Sequence, residues 1–152
     1  MKTIYFNITE RLSKLKDIPL LMMRLILAYG FYQPAMMKLK DISAIAEWFE
    51  SMEIPAPTLN AYLATYTEVS GFILLTLGFA TRFISIPLMI TMFVAIRTVH
   101  WENGFSASDN GYEIPLYYMI MLFTLFINGS GKISVDYFIS NFFKKKLLEQ
   151  PK

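Results

Sequence analysis

The chain has 152 residues, of which 55% are hydrophobic and 17% charged, whereas an average soluble domain has about 25% charged residues. It contains no cysteine and a single histidine, which excludes disulfides, thiolate metal sites, iron–sulfur clusters and a bis-histidine haem within one chain. The net charge of +2 is too small to indicate nucleic-acid binding. This composition favours a membrane protein.

Four apolar stretches follow one another along the chain, over residues 18–39, 59–80, 83–101 and 111–130. Each is close to the roughly 17–25 residues with which an α-helix crosses a bilayer. Prolines interrupt the first connection, a short turn forms the second, and Gly, Ser, Asn and Asp dominate the third. We therefore predict an all-α fold for residues 1–152, a single domain built as a bundle of four transmembrane helices.

The basic residues outside these spans lie mainly on one side of the predicted membrane. Ten of them precede span one, follow span four or lie between spans two and three, and only Lys38 and Lys40 lie on the other side. Because connections rich in Lys and Arg stay in the cytoplasm, we predict that both termini are cytoplasmic.

Three segments beside the spans carry an apolar stripe at helical spacing, over residues 4–15, 45–52 and 135–143. We predict that they form amphipathic helices in the membrane interface, where a basic flank would face anionic headgroups. Packing against a partner subunit is the alternative, and it is equally favoured for the middle segment. Lys38, Trp48 and Trp101 are predicted to be interfacial side chains.

Ionisable residues within the spans mark candidate sites, because a charge at mid-span costs on the order of 2.5–3.5 kcal/mol on insertion scales. From a rise of about 1.5 Å per residue, Arg24 and Glu68 lie within one side chain's reach in depth. We predict that they form a buried ion pair between spans one and two. Such a pair is consistent with a structural role as well as a functional one.

A second polar cluster is predicted at the outer end of span three, where Arg97, His100 and Trp101 share one helical face. This face leads into a connection that contains further polar groups. We predict an outward-opening, ligand-binding pocket formed by Glu68, Arg97, His100, Asn103 and Glu113. The alternatives are that Arg97 extends outward to water and that His100 is an ordinary interfacial side chain. We predict no metal ligands and assign no catalytic residue.

Five motifs occur in order along the chain: "RLILAYGFYQPAMMKL", "EVSGFILLTLGFATR", "HWENGF", "GYEIPL" and "GSGKISVD". Over about residues 18–136 the chain resembles the DoxX family, with Ala35 where the family has glycine. The matching positions are Glu68, Gly71, Gly78, Arg82, His100, Asn103, Gly104, Gly111, Glu113, Gly129, Gly131, Lys132, Ser134 and Asp136. Among the glycines, Gly71 and Gly78 are expected to allow close approach of helices.

The resemblance implies a small multi-pass protein of the bacterial cytoplasmic (inner) membrane. The family is named after a subunit of a thiosulfate:quinone oxidoreductase, and other relatives are linked to redox-stress complexes and copper-responsive operons. We therefore expect a quinone- or small-molecule-binding subunit of a membrane redox system. No residue of the chain carries electrons by itself, so a membrane quinone or a partner redox subunit would supply that chemistry. Whether the chain is an enzyme is left open.

Two other functions are compatible with the sequence. The abundant aromatic and methionine side chains also suit an assembly or scaffold subunit, since they pack readily against partners. A small transporter is the third alternative, and it would require a homo-oligomer because four helices are few for a carrier. The ten methionines are interpreted as packing residues rather than copper ligands. Quinone-shaped density for a ligand between the helices, near Glu68 and His100, would favour the first function, and a dry interior filled by side chains would favour the second.

Overall fold

The computed structural model describes residues 15–148, and every regular element in that range is helical. The predicted amphipathic segment at residues 4–15 lies, up to residue 14, outside the described residues. The all-α prediction is confirmed for the part of the chain that is described. Its α-helices are α1 Asp17–Lys40, α2 Ile42–Ser51, α3 Pro57–Leu77, α4 Thr81–Ala95, α5 Glu113–Asn128 and α6 Val135–Leu148.

The four long helices coincide in position with the four predicted spans, and they pack as a ring in which α1 contacts α3, α3 contacts α4, α4 contacts α5, and α5 contacts α1. Short connections make sequential neighbours antiparallel. The core at the centre of the ring consists of fully buried side chains, among them Leu27, Phe31, Leu75, Leu88, Leu122 and Leu125.

The bundle has two unlike ends. We call the end that contains Asp17, Gly78, Asn128 and the start of α6 the terminal end. The opposite end, called the loop end, contains α2 and the connection after α4. That connection consists of a π-helical turn Ile96–His100 and two short 3₁₀ turns, Trp101–Asn103 and Ala107–Asp109.

The outer surface of the bundle is strongly apolar. Tyr29, Phe83 and Phe138 are 82%, 79% and 75% exposed, and many other large apolar side chains face outward from the helices. A soluble monomer rarely exposes so much contiguous apolar surface. Within the described residues, the continuous helical stretch Thr81–Asn103 is the one long and apolar enough to cross a membrane, with 23 residues and a mean hydropathy of 1.7, and Glu113–Asn128 is apolar but shorter.

Small residues bring the helices close together. A Cβ atom added to Gly71 would lie 2.8 Å from Leu88 Cδ2, so α3 and α4 approach closely at the position where the sequence predicted it. Ala35, which replaces the family's glycine, is completely buried in α1. The packing at this position therefore accommodates one methyl group.

Helix α2 forms because Asp41 caps its N-terminus. The Asp41 carboxylate accepts hydrogen bonds from the Ser43 hydroxyl at 2.6 Å and from the Ala44 N–H at 2.9 Å. These bonds, that of Ser43 first, lower the pKa of the Asp41 carboxyl below its ordinary value. The helix packs against α3, so the amphipathic face predicted at residues 45–52 is directed partly at its own chain.

At the terminal end, α3 stops at Gly78, whose φ of +65° suits a residue without a Cβ. The Gly78 and Phe79 N–H groups donate to the Leu75 and Leu74 carbonyls at 3.2 and 3.0 Å, which is a Schellman C-cap. The Arg24 guanidinium lies against this turn, where a Cβ on Gly78 would overlap it. The close approach expected at Gly78 is therefore to an arginine side chain.

Asp136, in the first turn of α6, connects three elements. Its carboxylate accepts hydrogen bonds from the Ala80 N–H at 2.8 Å and the Thr81 N–H at 3.2 Å, so it caps α4 in place of a local side chain. Its own N–H donates to the Gly78 carbonyl at 3.1 Å. It also supplies the negative charge that acts on the buried Arg24.

We predict that Asp136→Ala lowers the stability of the bundle by about 1–2 kcal/mol, because substituting an N-cap carboxylate costs about that much. The measurement is the thermal unfolding midpoint of the purified protein in a neutral detergent. Asp109→Ala is the matched control, since Asp109 is exposed in the loop-end connection. Equal midpoints for the two variants would show that Asp136 does not hold the terminal end together.

Candidate functional site

A cavity of about 930 Å³ lies in the loop-end half of the bundle, bounded by α1 to α5. This volume lies within the range of about 300–1,000 Å³ that is typical of small-molecule sites. Its walls are mainly apolar and partly aromatic, and they include Phe31, Met37, Trp48, Phe49, Ile90 and Ile114. Pro34, Pro87 and Pro115, on three different helices, also line it. A proline has no N–H to donate within a helix, so α1 and α4 each lack one internal hydrogen bond at this level. Pro115 lies in the first turn of α5, where an N–H has no acceptor within the helix.

One polar feature of the wall is an ion pair between α1 and α3. Lys38 Nζ lies 2.5 Å from Glu68 Oε1, and the two side chains are 15% and 3% exposed. Within the described residues Glu68 Oε2 has no hydrogen-bond partner. An ammonium group has three N–H donors, and Lys38 uses one of them on Glu68. Lys38 is therefore the more accessible partner, and its other N–H groups remain available as hydrogen-bond donors.

The predicted ion pair between Arg24 and Glu68 is wrong. Arg24 is buried at the terminal end, where its Nη2 donates to the Ile133 carbonyl at 2.5 Å, and Glu68 pairs with Lys38. Helical side chains lean toward the N-terminus of their own helix. Because α1 and α3 are antiparallel, Lys38 and Glu68 lean toward each other, whereas Arg24 leans away from Glu68. A depth estimate from the rise per residue ignores this direction.

Lys38 was also predicted to be interfacial, and the structure instead places it in the cavity wall. Its place near the end of the motif "RLILAYGFYQPAMMKL" was the signal that could have identified it. Tyr118 is a second wall residue that the sequence analysis missed. Its ring packs against the backbone of Gly30 and contacts Phe31 edge to face, with ring centroids 5.7 Å apart. A tyrosine within an apolar span is too common to signal a site.

His100 lines the same cavity as Glu68. The π turn Ile96–His100 is wider than an α-helical turn, and it brings Val99 and His100 to the cavity after the α-helical face of Pro87, Thr91 and Ala95. His100 Nδ1 lies 2.7 Å from the Asn110 carbonyl oxygen. If the ring is neutral, this bond makes Nδ1 the donor and leaves Nε2 as an acceptor.

Asn103 supports the histidine rather than lining the cavity. Its Nδ2 donates to the Asn110 carbonyl at 3.2 Å, the same oxygen that His100 contacts, and to the Val99 carbonyl at 3.3 Å. The two side chains together hold the connection between α4 and α5 over the end of the cavity. Asn103 is therefore a positioning residue for His100.

Like Asn103, Arg97 and Glu113 do not line the cavity, so the predicted pocket is wrong in these three members. Arg97 is exposed on the opposite side of the π turn, and its guanidinium lies over the Trp101 ring at 5.5 Å. Glu113 accepts hydrogen bonds from the Ala107 N–H and the Tyr117 hydroxyl, each at 3.0 Å. Its carboxylate thus closes the loop connection instead of facing inward.

Of the predicted interfacial tryptophans, Trp48 lies on α2 and lines the cavity while remaining 44% exposed. Trp101 is outside the cavity and stacks on Tyr112, with ring centroids 5.5 Å apart. The described part of the chain contains no cluster of three or more His, Cys, Asp or Glu side chains with metal-binding geometry.

The all-helical bundle has an apolar outer surface and an apolar cavity that holds a buried ion pair. These features are typical of helical membrane proteins. The profile of the DoxX family matches residues 19–101, more than half of the chain, and the chain belongs to the DoxX family. The match includes Lys38, Glu68 and His100. Membership of this family places the protein in a lipid bilayer.

Two relatives align with most of the chain. A Haemophilus influenzae protein described as uncharacterized is 31% identical over 133 residues, which is 85% of this chain and 88% of the relative. A Bacillus subtilis protein named "Putative oxidoreductase CatD" is 24% identical over 128 residues, 84% of this chain and 92% of the relative. No solved structure matches the chain.

The ion pair leads to a double-mutant prediction. Lys38→Met and Glu68→Leu should each destabilise the bundle by about 3–5 kcal/mol, because each leaves a buried charge unpaired, and the double variant should lose much less than the sum. Unfolding in detergent with a chemical denaturant measures all three. Combining Arg24→Met with Glu68→Leu is the comparison, and those two losses should add. Additive losses for Lys38 and Glu68 would contradict the pair.

Proposed function

We propose that this chain is a four-span protein of the bacterial cytoplasmic membrane that binds a quinone-type molecule in the loop-end cavity, as a subunit of a membrane redox system. One observation carries the proposal: a ligand-sized, largely apolar cavity has the donor groups of Lys38 at its wall. The oxidoreductase name of the Bacillus subtilis relative also supports a redox role.

A quinone fits the chemistry of this cavity. Its ring is flat and apolar and would pack against side chains such as Phe31 and Trp48, and its carbonyl oxygens accept hydrogen bonds. Lys38 has unused N–H donors, and the Tyr118 hydroxyl makes no hydrogen bond within the described residues. A small number of polar groups in an apolar pocket is the usual basis for orienting such a ligand.

Reduction of a quinone to a quinol takes up two electrons and two protons. The electrons would come from a partner redox subunit, since the side chains of this chain carry none. Lys38, Glu68, His100 and Tyr118 are the titratable groups of the cavity wall, so they are the candidates for delivering protons to the quinone oxygens. Neither the partner nor the proton route is needed for binding itself.

The presence of the cavity also helps to distinguish ligand binding from the alternative functions. A scaffold subunit requires only a filled core and an outer surface that fits its partners. Here the centre of the bundle is filled by apolar side chains such as Leu27, Leu75 and Leu125, whereas the loop-end half contains ligand-sized space beside Glu68 and His100. We therefore favour ligand binding over the scaffold and transporter alternatives.

The four-span topology is supported by the positions of the four long helices and by the apolar side chains on their outer faces. With both termini in the cytoplasm, a cysteine at exposed Ser108 should react with an impermeant maleimide added to intact spheroplasts, and a cysteine at exposed Asn141 should react only after lysis. The native chain has no cysteine, so each label reports one position. The opposite pattern would reverse the orientation.

Ligand binding can be followed through Trp48, since the chain has two tryptophans and Trp101→Phe leaves the one that lines the cavity. We expect a short-chain ubiquinone or menaquinone analogue to quench Trp48 fluorescence saturably. Lys38→Met should weaken binding about tenfold or more, because a hydrogen bond from a charged donor contributes about 1.5–3 kcal/mol.

Lys40→Met is the matched control, because Lys40 is exposed at the end of α1 and does not line the cavity. It should bind the analogue like the parent protein. His100→Ala should weaken binding as well, and an unchanged affinity would remove His100 from the site. Absence of saturable quenching in the parent protein would leave the quinone proposal without support and favour the scaffold alternative.

A further inference from the structure

A second cavity, of about 760 Å³, lies at the terminal end of the bundle, where the start of α1, the start of α4, the end of α5 and α6 line it. It combines two kinds of wall. Lys16, Arg82 and Lys132 provide three basic side chains, and an apolar strip beside them contains Pro19, Leu20, Met23 and Phe83. This cavity is separate from the loop-end site and shares no lining residue with it.

The two acidic residues of the wall are already engaged by other groups. Asp17 accepts a hydrogen bond from the Lys132 N–H at 3.0 Å, with Lys132 Nζ 4.0 Å away. Asp136 accepts two backbone N–H groups at the start of α4. Among the described residues no carboxylate lies within ion-pair distance of Lys16 or Arg82. Within the described residues, Lys16 and Arg82 therefore bring positive charge to the wall that no carboxylate pairs with.

The turn after α5 positions Arg82. Gly129 has a φ of +79°, and a Cβ atom there would lie 3.1 Å from Arg82 Nε. The arginine side chain thus lies across the glycine, and the absence of a Cβ lets it approach. Arg82, Gly129 and Lys132 belong to sequence motifs that the loop-end site does not use, and the fold brings them together in this wall.

We propose that this cavity binds the phosphate headgroup of an anionic phospholipid, with Arg82 and Lys132 on the phosphate and an acyl chain along Leu20, Met23 and Phe83. Arginine and lysine are the usual donors to phosphate oxygens, and basic pockets between helices at the cytoplasmic surface bind anionic lipids. The apolar strip favours a lipid over a free phosphate ion, because a free ion would make no use of it.

Helix α6 extends the same surface. Phe138 and Phe142 are 75% and 62% exposed, and three consecutive lysines follow from Lys144. An apolar face next to basic residues matches the requirements of a helix that lies on an anionic membrane surface. The headgroup site would therefore open at the level where α6 meets the lipid. This inference is independent of the quinone proposal.

The test is lipid binding to the full-length protein in a neutral detergent, measured by native mass spectrometry and by the thermal unfolding midpoint. The ligands are phosphatidylglycerol, phosphatidylcholine and inorganic phosphate. The parent protein should bind phosphatidylglycerol in preference to phosphatidylcholine and be stabilised by it. Arg82→Gln combined with Lys132→Gln should bind phosphatidylglycerol about tenfold more weakly, since each substitution removes a charge-assisted hydrogen bond.

The control combines Lys40→Gln with Arg97→Gln, which removes the same charge from exposed positions at the loop end. It should retain the parent affinity. Equal losses in both double variants, or no preference for phosphatidylglycerol in the parent protein, would overturn the proposal. Equal stabilisation by inorganic phosphate alone would replace the lipid with a free anion. If the Arg82 and Lys132 double variant does not fold, Lys16→Gln replaces it, with the same expected direction.

Discussion

The ion pair between Lys38 and Glu68 connects the packing of this bundle to its candidate function. A carboxylate that is 2% exposed among apolar helices is stable as an anion only if a cation reaches it. Lys38 does so from the adjacent antiparallel helix, which holds α1 against α3 at one register. The same ammonium group faces the loop-end cavity, so the group that neutralises a buried charge is also the donor available to a ligand.

The two ends of the bundle meet their polar requirements in different ways. At the terminal end, Arg24 Nη2 donates to the Ile133 carbonyl, and Asp136 caps α4 and contacts Gly78. Arg24 Nε and Nη1 and Thr81 Oγ1 have no hydrogen-bond partner within the described residues. At the loop end the chain leaves a cavity, which is lined by three proline-containing helices, by α2 and by the connection after α4. The terminal end therefore combines contacts that join the helices with the basic cavity proposed to bind a lipid, and the loop end has the space and polar groups of the proposed quinone site.

Sequence reasoning predicted the helices well, because long apolar stretches with clear interruptions have few alternative structures. It also selected Glu68 and His100, which line one cavity, since an ionisable residue within an apolar span is costly and therefore conspicuous. It assigned the wrong partner to Glu68 and included Arg97, Asn103 and Glu113 in the pocket. Those errors share a cause, since the direction of a side chain depends on helix polarity, on the π turn and on loop hydrogen bonds.

The sequence by itself determined the all-helical class, the positions of the four long helices and the family, because hydropathy and short motifs are local properties of the chain. Only the tertiary structure decided which charges pair and where space remains between the helices. Lys38 meets Glu68 because antiparallel helices direct their side chains toward each other, and Asp136 reaches Ala80 across 56 positions of sequence. Such contacts depend on how the helices are arranged, and a local pattern does not specify that arrangement.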